Sequence, residues 1–222
     1  MAMQTASLEP LAETSVEPYA PERSLLVASL LSMSGGFLDA FTWLSLGVFA
    51  SSQTGNVVFL GIYAQSGQWQ RALHHLLPLA AFVLGAMVAV RTRAALRCLI
   101  GEIVCLAAAM LLLHRVPDEI AILIISFGVA LQSASFRLVG RWKYLSVTVT
   151  GNMLRAIDQF VAASDRDAVR GSGTMLTLCL TFLLGAAVGS CVTKWLGMWG
   201  LAMPIASSVY VLWLCRQRNH SY

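Results

Sequence analysis

The tripeptide Thr-Gly-Asn occurs twice in this chain, within Gln53–Asn56 and Val149–Asn152, and a short apolar stretch follows each copy. We call Gln53–Asn56 and Val149–Asn152 the TGN segments. Their residue types suit a helix that begins inside a membrane, because Gly adopts backbone angles that other residues avoid and Thr or Asn caps free N–H groups. The free amides and the positive end of the helix dipole could then face a solute or water. Two such helix starts would form a polar centre in an apolar scaffold; alternatively, the two loops simply pack together, with Asn bridging helices.

A carboxylate, Asp39, lies within the first apolar run, and Ser32, Gly35 and Gly36 fall on the same helix face. An ionisable residue at membrane depth is a candidate functional group, here one that could handle a proton or a solute. The alternative is a structural carboxylate that hydrogen-bonds the facing TGN backbone. Gln132 holds the comparable place later in the chain, so the two halves would be inequivalent. The predicted solute or ion pathway comprises Asp39, Gln53, Thr54, Gly55, Asn56, Gln132, Thr150, Gly151 and Asn152.

Three further charged residues are secondary candidates. Glu102 lies near the middle of an apolar run, where we expect it to pair with another helix. Arg155 and Asp158 are three residues apart, which predicts a local ion pair on the helix that follows the second TGN segment. These two side chains could also line the way into the site.

Common enzyme motifs are absent from the sequence, which contains no HExxH, GxSxG or P-loop and no GxGxxG with a following acidic residue. The five cysteines lie in or beside apolar runs without a CxxC pair, so we expect them to be packing residues. His74 and His75 lie at the edge of an apolar run, where a capping or interfacial role outweighs metal binding. We therefore predict a protein that is not an enzyme, with no catalytic residues, bound metal or cofactor.

A second match indicates an internal duplication. Phe82–Ala86 reads FVLGA and Phe182–Ala186 reads FLLGA, each downstream of its TGN segment. The TGN copies are separated by 96 residues and the FVLGA-type copies by 100. Two matches in the same order predict two related halves, about 25–113 and about 120–215.

The composition is that of a membrane protein. Hydrophobic residues make up 57% of the chain and charged residues 12%, and the mean hydropathy is +0.70, outside the range of soluble domains. The few basic residues are dispersed in loops, which argues against nucleic-acid binding. We predict an all-α polytopic protein with about six transmembrane helices, because six runs approach the roughly 20 residues needed to cross a bilayer: Leu25–Leu46, Leu73–Val90, Ala94–Leu113, Ile120–Val139, Gly173–Val192 and Trp195–Cys215.

The topology depends on whether the TGN segments cross the membrane. The stretch after the second one is short and charged, so a short re-entrant helix fits better than a span. If neither crosses, twelve of the fifteen Lys and Arg residues share one side, and the positive-inside rule predicts cytoplasmic termini. A seven-span arrangement, in which only the first TGN segment crosses, gives a similar charge split and stays open. Three spans per half would make the repeats inverted, and sites in such proteins lie at the midplane between discontinuous helices.

The chain outside the predicted membrane domain is short. Residues 1–24 contain four Glu, three Pro and almost no basic charge, which predicts a disordered acidic tail and not a signal peptide. The membrane domain would cover residues 25–215. Residues 216–222 would form a short cytoplasmic tail.

Gly36–Ala40 followed by Gln53–Asn56 resembles the YoaK family of multi-pass bacterial membrane proteins, as does Gly128–Gln132 followed by Val149–Asn152. The resemblance covers about residues 25–215. It implies a location in the bacterial inner membrane and about six spans. That family carries a domain of unknown function, so the resemblance implies no substrate.

These observations together predict passage of a small solute or ion, with the TGN segments at the central site and Asp39 as the proton-coupled group. A competing interpretation is a membrane-embedded sensor or assembly subunit, in which the same polar residues bind a partner helix. A third is a membrane enzyme that acts on lipid, with Asp39 and Glu102 as the acids. The expected partners are the lipid bilayer and an unidentified solute or ion, and a homo-oligomer remains open.

Overall fold

The structure is a computed structural model that describes residues 20–161 and 166–219. It is 84% helical, which confirms the predicted all-α class. A 3₁₀ turn, Pro21–Arg23, precedes the first helix, and a second one, Gly197–Leu201, separates the last two. Two short antiparallel strands form a hairpin, β1 (Leu138–Val139) and β2 (Trp142–Lys143). The helices are α1 (Leu25–Leu46), α2 (Gln53–Gln65), α3 (Trp69–Thr92), α4 (Ala95–Leu112), α5 (Asp118–Ser135), α6 (Val149–Val161), α7 (Arg166–Leu196) and α8 (Ala202–Asn219).

Five helical segments in the described residues are long and apolar enough to cross a membrane; the fifth, Arg166–Gln217, contains α7 and most of α8. Large apolar side chains also face outward: Phe160 is 68% exposed, and Leu180 and Leu183 are each 65% exposed. A helix that is apolar both inside and outside is typical of a protein embedded in lipid. The length and composition of the helices therefore fit a membrane protein.

Local signals explain where α1 begins and ends. The Ser24 side chain caps its start by accepting a hydrogen bond from the Val27 N–H at 3.3 Å. At its end, Gly47 adopts a φ of +70°, a left-handed conformation that glycine reaches without a steric penalty. The helix thus has the bounds predicted from the sequence.

Two predicted spans have wrong boundaries. The run Ile120–Val139 ends as a helix at Ser135, because the chain turns into the hairpin around Gly140, whose φ is +54°. The run Trp195–Cys215 is interrupted by the 3₁₀ turn that starts at Gly197, where φ is +52°. A run of apolar residues does not indicate these glycine turns, because hydropathy does not depend on backbone conformation.

The predicted tails fall partly outside the described residues. Of the acidic tail, residues 1–19 are outside, and Arg23 in the first 3₁₀ turn accepts a hydrogen bond from the Gly140 N–H at 2.7 Å. Residues 216–219 of the predicted C-terminal tail belong to α8, which ends at Asn219. Residues 220–222 lie outside the described part of the chain.

The helices pack in matched pairs. The most extensive contacts join α1 to α7 and α3 to α5, while α2 packs on α3 and α6 packs on α7. Gly185 in α7 lies so close to α1 that a Cβ there would collide with the carbonyl oxygen of Met33. Gly85 in α3 lies in the same way against the carbonyl oxygen of Phe127 in α5. The glycines of both FVLGA-type motifs therefore lie at close helix crossings.

The helices that follow the loops are short. α2 and α6 have 13 residues each, or about 20 Å at 1.5 Å per residue. A bilayer core is about 30 Å thick, so neither helix is long enough to cross it. Both begin at the first residue of a TGN segment, as a helix-start interpretation of that motif requires.

Candidate functional site

Each TGN asparagine holds the loop that precedes its own helix. Asn56 Nδ2 donates to the Phe49 carbonyl oxygen at 2.7 Å, and the Phe49 N–H donates to Asn56 Oδ1 at 3.1 Å. Asn152 makes the same two bonds with Leu145, at 2.8 Å and 3.2 Å. Both asparagines are buried. Their amides are therefore occupied by backbone groups and position the loops.

Asp39 holds the first of these loops from the side of α1. Its Oδ1 accepts hydrogen bonds from the N–H groups of Ser51 at 2.7 Å and Ser52 at 3.3 Å. Its Oδ2 accepts from the Ser51 hydroxyl at 2.8 Å and from the Ser52 hydroxyl. These four donors surround a carboxylate that is only 4% exposed. The arrangement matches the structural alternative for Asp39, a carboxylate that binds the backbone at the start of α2.

A cavity of about 400 Å³, the central cavity, lies between the starts of α2 and α6. Thr54 and Thr150 line it from the two halves of the chain, and so do Phe82 and Phe182. Its size falls in the range of small-molecule sites. No acidic side chain of residues 20–161 or 166–219 lines it. The other lining residues are Ser51, Ser52, Gln53, Ala86, Ser133, Ala134, Arg137, Leu145, Val147, Thr148 and Val149.

The glycine contacts correct the predicted equivalence of Asp39 and Gln132. Since Gly185 lies on Met33 and Gly85 lies on Phe127, Met33 and Phe127 hold equivalent places. Counting six residues along each helix from these points leads to Asp39 and to Ser133. Ser133 lines the central cavity, whereas Gln132 is buried elsewhere, and both polar atoms of its side chain lack a hydrogen-bond partner within the described residues.

A second pocket adjoins the central cavity and is basic. We call it the basic pocket; it has a volume of about 550 Å³ and shares Arg137 with the central cavity. Arg137 forms no ion pair with any described residue. Arginines from three parts of the chain meet at this pocket together with one acid, and the charged lining residues are Glu22, Arg23, Arg93, Arg97 and Arg137.

The two TGN glycines serve packing. A Cβ at Gly55 would lie 2.8 Å from the Phe49 ring, and one at Gly151 would lie 3.2 Å from the Thr148 methyl group. Neither glycine lines the central cavity. Of the nine predicted pathway residues, the three that line it are Gln53, Thr54 and Thr150.

Glu102 lies in a separate contact between α4 and α8. The Ser208 hydroxyl donates to Glu102 Oε2 at 3.1 Å, and Oε1 has no hydrogen-bond partner among the described residues. The carboxyl group is completely buried. It is therefore in contact with another helix, as we expect for a carboxylate in an apolar run, and away from the central cavity.

The predicted ion pair between Arg155 and Asp158 is not present. Arg155 instead donates to Asn152 Oδ1 at 3.5 Å, and Asp158 is exposed. Arg155 points back toward the helix start because the Asn152 oxygen is available one turn earlier. An ion pair does form nearby, between Arg141 and Asp167 at 3.0 Å.

The two histidines contact the first TGN helix and the end of α1. His74 Nε2 lies 2.8 Å from the Leu46 carbonyl oxygen, a helix-end contact. His75 Nδ1 lies 3.3 Å from Asn56 Oδ1, and its ring stacks on Phe59 and Tyr63. No group of three His, Cys, Asp or Glu side chains that could hold a metal exists in the part of the chain that the structure describes.

Several cavity residues are not among the predicted site residues. Ser51 and Ser52 precede the first TGN segment, Thr148 precedes the second, and Arg137 follows α5. A signal for the aromatic walls exists in the sequence, because Phe82 and Phe182 open the repeated FVLGA-type motif. The hydroxyl residues carry no such signal, since serine and threonine are common in loops.

The chain belongs to a protein family of unknown function, DUF1275, whose model matches residues 27–214. YoaK is a member of this family, which confirms the resemblance noted from the sequence. No curated protein and no solved structure matches the chain.

Proposed function

We propose that the protein lets a small solute or ion pass through a membrane, with the central cavity as its binding site. The observation that carries the proposal is that equivalent residues of both halves, Thr54 with Thr150 and Phe82 with Phe182, line one cavity. A cavity built from both halves around discontinuous helices is the arrangement found in transporters with internal repeats.

An inverted six-span arrangement goes with this function. In support, α1 contacts α7 as α3 contacts α5, so each half gives one long helix to the other. The Gly197 turn would divide Arg166–Gln217 into two spans, since 52 residues exceed one bilayer crossing. α2 and α6 would then enter the membrane without crossing it. The proposal also includes a location in the bacterial inner membrane, with both chain termini in the cytoplasm.

Asp39 has a positioning role in this proposal. Its carboxylate accepts four hydrogen bonds from Ser51 and Ser52, which themselves line the central cavity. Loss of this carboxylate would therefore alter the cavity wall through the loop. A separate proposal is that Asp39 couples transport to protons. Transport by the wild-type protein that does not change with pH would exclude it.

The test is solute flux into liposomes that contain only the purified protein. Glycerol, urea, acetamide and L-alanine would be measured by stopped-flow light scattering, against empty liposomes. Thr54→Trp should block the flux, because an indole would fill the cavity. Val57→Trp is the matched control, since Val57 lies one turn later on the same helix and is 53% exposed.

Two results would contradict the proposal. Flux through Thr54→Trp equal to that of the wild type would show that the cavity is not the route. No flux above empty liposomes, combined with recovery of the protein only together with a second membrane protein, would favour the sensor or assembly interpretation.

A further inference from the structure

Equivalent positions beside the central cavity carry different residues in the two halves. In the first half, the Asp39 carboxylate accepts hydrogen bonds from the loop before α2. In the second half, Ser133 stands at the equivalent place and its hydroxyl makes only a long bond, 3.4 Å, to the Ala130 carbonyl oxygen. No carboxylate of residues 20–161 or 166–219 therefore holds the loop before α6 in the way that Asp39 holds the loop before α2.

The equivalent loop residues also differ. The two asparagine bonds make Phe49 equivalent to Leu145, so Ser51 and Ser52 correspond to Val147 and Thr148. The Thr148 N–H donates to the Leu145 carbonyl oxygen at 3.3 Å instead of to a carboxylate. Both Val147 and Thr148 line the central cavity. The place that a protein carboxylate occupies in the first half therefore opens into the cavity in the second.

A positive charge lies beside that place. Arg137 lines the central cavity just after α5, and no described acidic residue pairs with it. Arginine binds carboxylates through two parallel hydrogen bonds, which makes it the usual partner for this group. The hydroxyls of Ser133, Thr148 and Thr150 could donate further hydrogen bonds from the same half, and the start of α6 adds favourable partial charge.

We infer that the central cavity binds a small organic anion, with its carboxylate between Ser133, Arg137 and the start of α6. The inference rests on the proposed function and specifies its solute class. The bound carboxylate takes the part in the second half that Asp39 takes in the first. Beyond these groups the cavity wall is mixed, with Ser51, Ser52, Gln53 and Thr54 beside the apolar Phe82, Phe182 and Val147. The two phenyl rings accommodate a hydrocarbon or aromatic body better than a hydrated inorganic ion.

The basic pocket gives such an anion an approach. Arg23, Arg93 and Arg97 line it beside Arg137, and Glu22 is the acid among its charged residues. A surface lined mostly by one sign of charge raises the local concentration of ions of the opposite sign. Because Arg137 belongs to both spaces, an anion bound in the basic pocket would be next to the central cavity.

Isothermal titration calorimetry of the purified full-length protein tests the inference. Propionate and benzoate are compared with propionamide and benzamide, which have nearly the same shape without the charge. At matched ionic strength, we expect at least one acid to bind at least about tenfold more tightly than its amide, since hydrogen bonds to a charged group are the stronger ones.

Two variants locate the binding. Arg137→Gln should weaken binding of that acid at least about tenfold, because it removes the cation and keeps a polar side chain. Ser133→Asp should abolish binding, because it supplies the second half with its own carboxylate. Arg91→Gln is the control, since Arg91 is exposed and lines neither the central cavity nor the basic pocket. Thermal unfolding confirms that each variant is folded.

Equal affinity for acids and amides, or no binding of either, would overturn the inference. Tighter binding of acids that survives Arg137→Gln would overturn it as well, because the anion would then bind elsewhere. The two proposals fail separately. If Thr54→Trp blocks the flux of glycerol while acids bind no better than amides, passage stands and the anion inference falls.

Discussion

The loops before α2 and α6 are built alike around one asparagine and differently around one carboxylate. Asn56 and Asn152 each close their loop with two backbone hydrogen bonds. Asp39 adds four hydrogen bonds to the first loop, and Ser133 in the second half adds none to its loop. The asparagines therefore maintain the shared scaffold, whereas Asp39 holds only the first loop, whose Ser51 and Ser52 line the central cavity.

The shared scaffold should be the most sensitive part of the molecule, and equally so in both halves. Gly185→Leu and Gly85→Leu should each destabilise the protein by more than about 3 kcal/mol, because the new side chain would push against the backbone of the facing helix. Thermal unfolding in detergent measures this effect. Gly173→Leu is the control, since a Cβ at Gly173 meets nothing within 4 Å. A large effect at one of the two crossings alone would break the equivalence of the halves.

Replacing Asp39 should lower the stability more than replacing Ser133, its equivalent in the second half. Asp39→Ser should destabilise the protein by about 2 to 3 kcal/mol, because the buried donors of Ser51 and the half-buried donors of Ser52 lose their acceptor. Ser133→Ala should change the free energy of unfolding by less than about 1 kcal/mol, since it removes one long hydrogen bond. The same unfolding assay compares them. A loss below about 1 kcal/mol for Asp39→Ser would mean that the first loop does not depend on Asp39.

The asparagines should again behave alike, with a smaller effect. Asn56→Ala and Asn152→Ala should each destabilise the protein by about 2 kcal/mol, because one backbone N–H and one carbonyl oxygen lose their partner. Asn56→Asp would place a buried carboxylate oxygen against the Phe49 carbonyl oxygen, so its unfolding midpoint should be no higher than that of Asn56→Ala. A midpoint as high as the wild type for either Ala variant would argue against the bridging role.

The smallest effect should come from Asp158 on the outer face of α6. Asp158→Asn should change the free energy of unfolding by less than about 0.5 kcal/mol, because Asp158 is exposed and does not pair with Arg155. Its stability should also respond to salt as the wild type does. A larger loss that disappears at high salt would indicate that the pair predicted from the sequence forms in solution.

Sequence patterns predicted the features that depend on hydropathy and on local backbone chemistry. The apolar runs gave the long helices, and the TGN segments gave the starts of two short ones. The role of Asn56 and the equivalence of Asp39 with Ser133 were not predictable in this way. Both depend on which backbone a side chain meets after folding, and the helix register is set by close contacts at glycines such as Gly185. Spacing to the TGN segments does not determine that register.

Chemical modification of one cysteine on each side of the cavity tests the central claim most directly. With the five native cysteines replaced by Ala, Thr54→Cys or Thr150→Cys would be treated with a charged methanethiosulfonate before the flux assay, with Val57→Cys as the outward-facing control. Modification at either threonine position should stop the flux, and in the double variant the first modification should slow the second at least about tenfold, because both line one cavity of limited volume. Full flux after complete modification of both cysteines, or independent reaction rates in the double variant, would contradict a single cavity shared by the two halves.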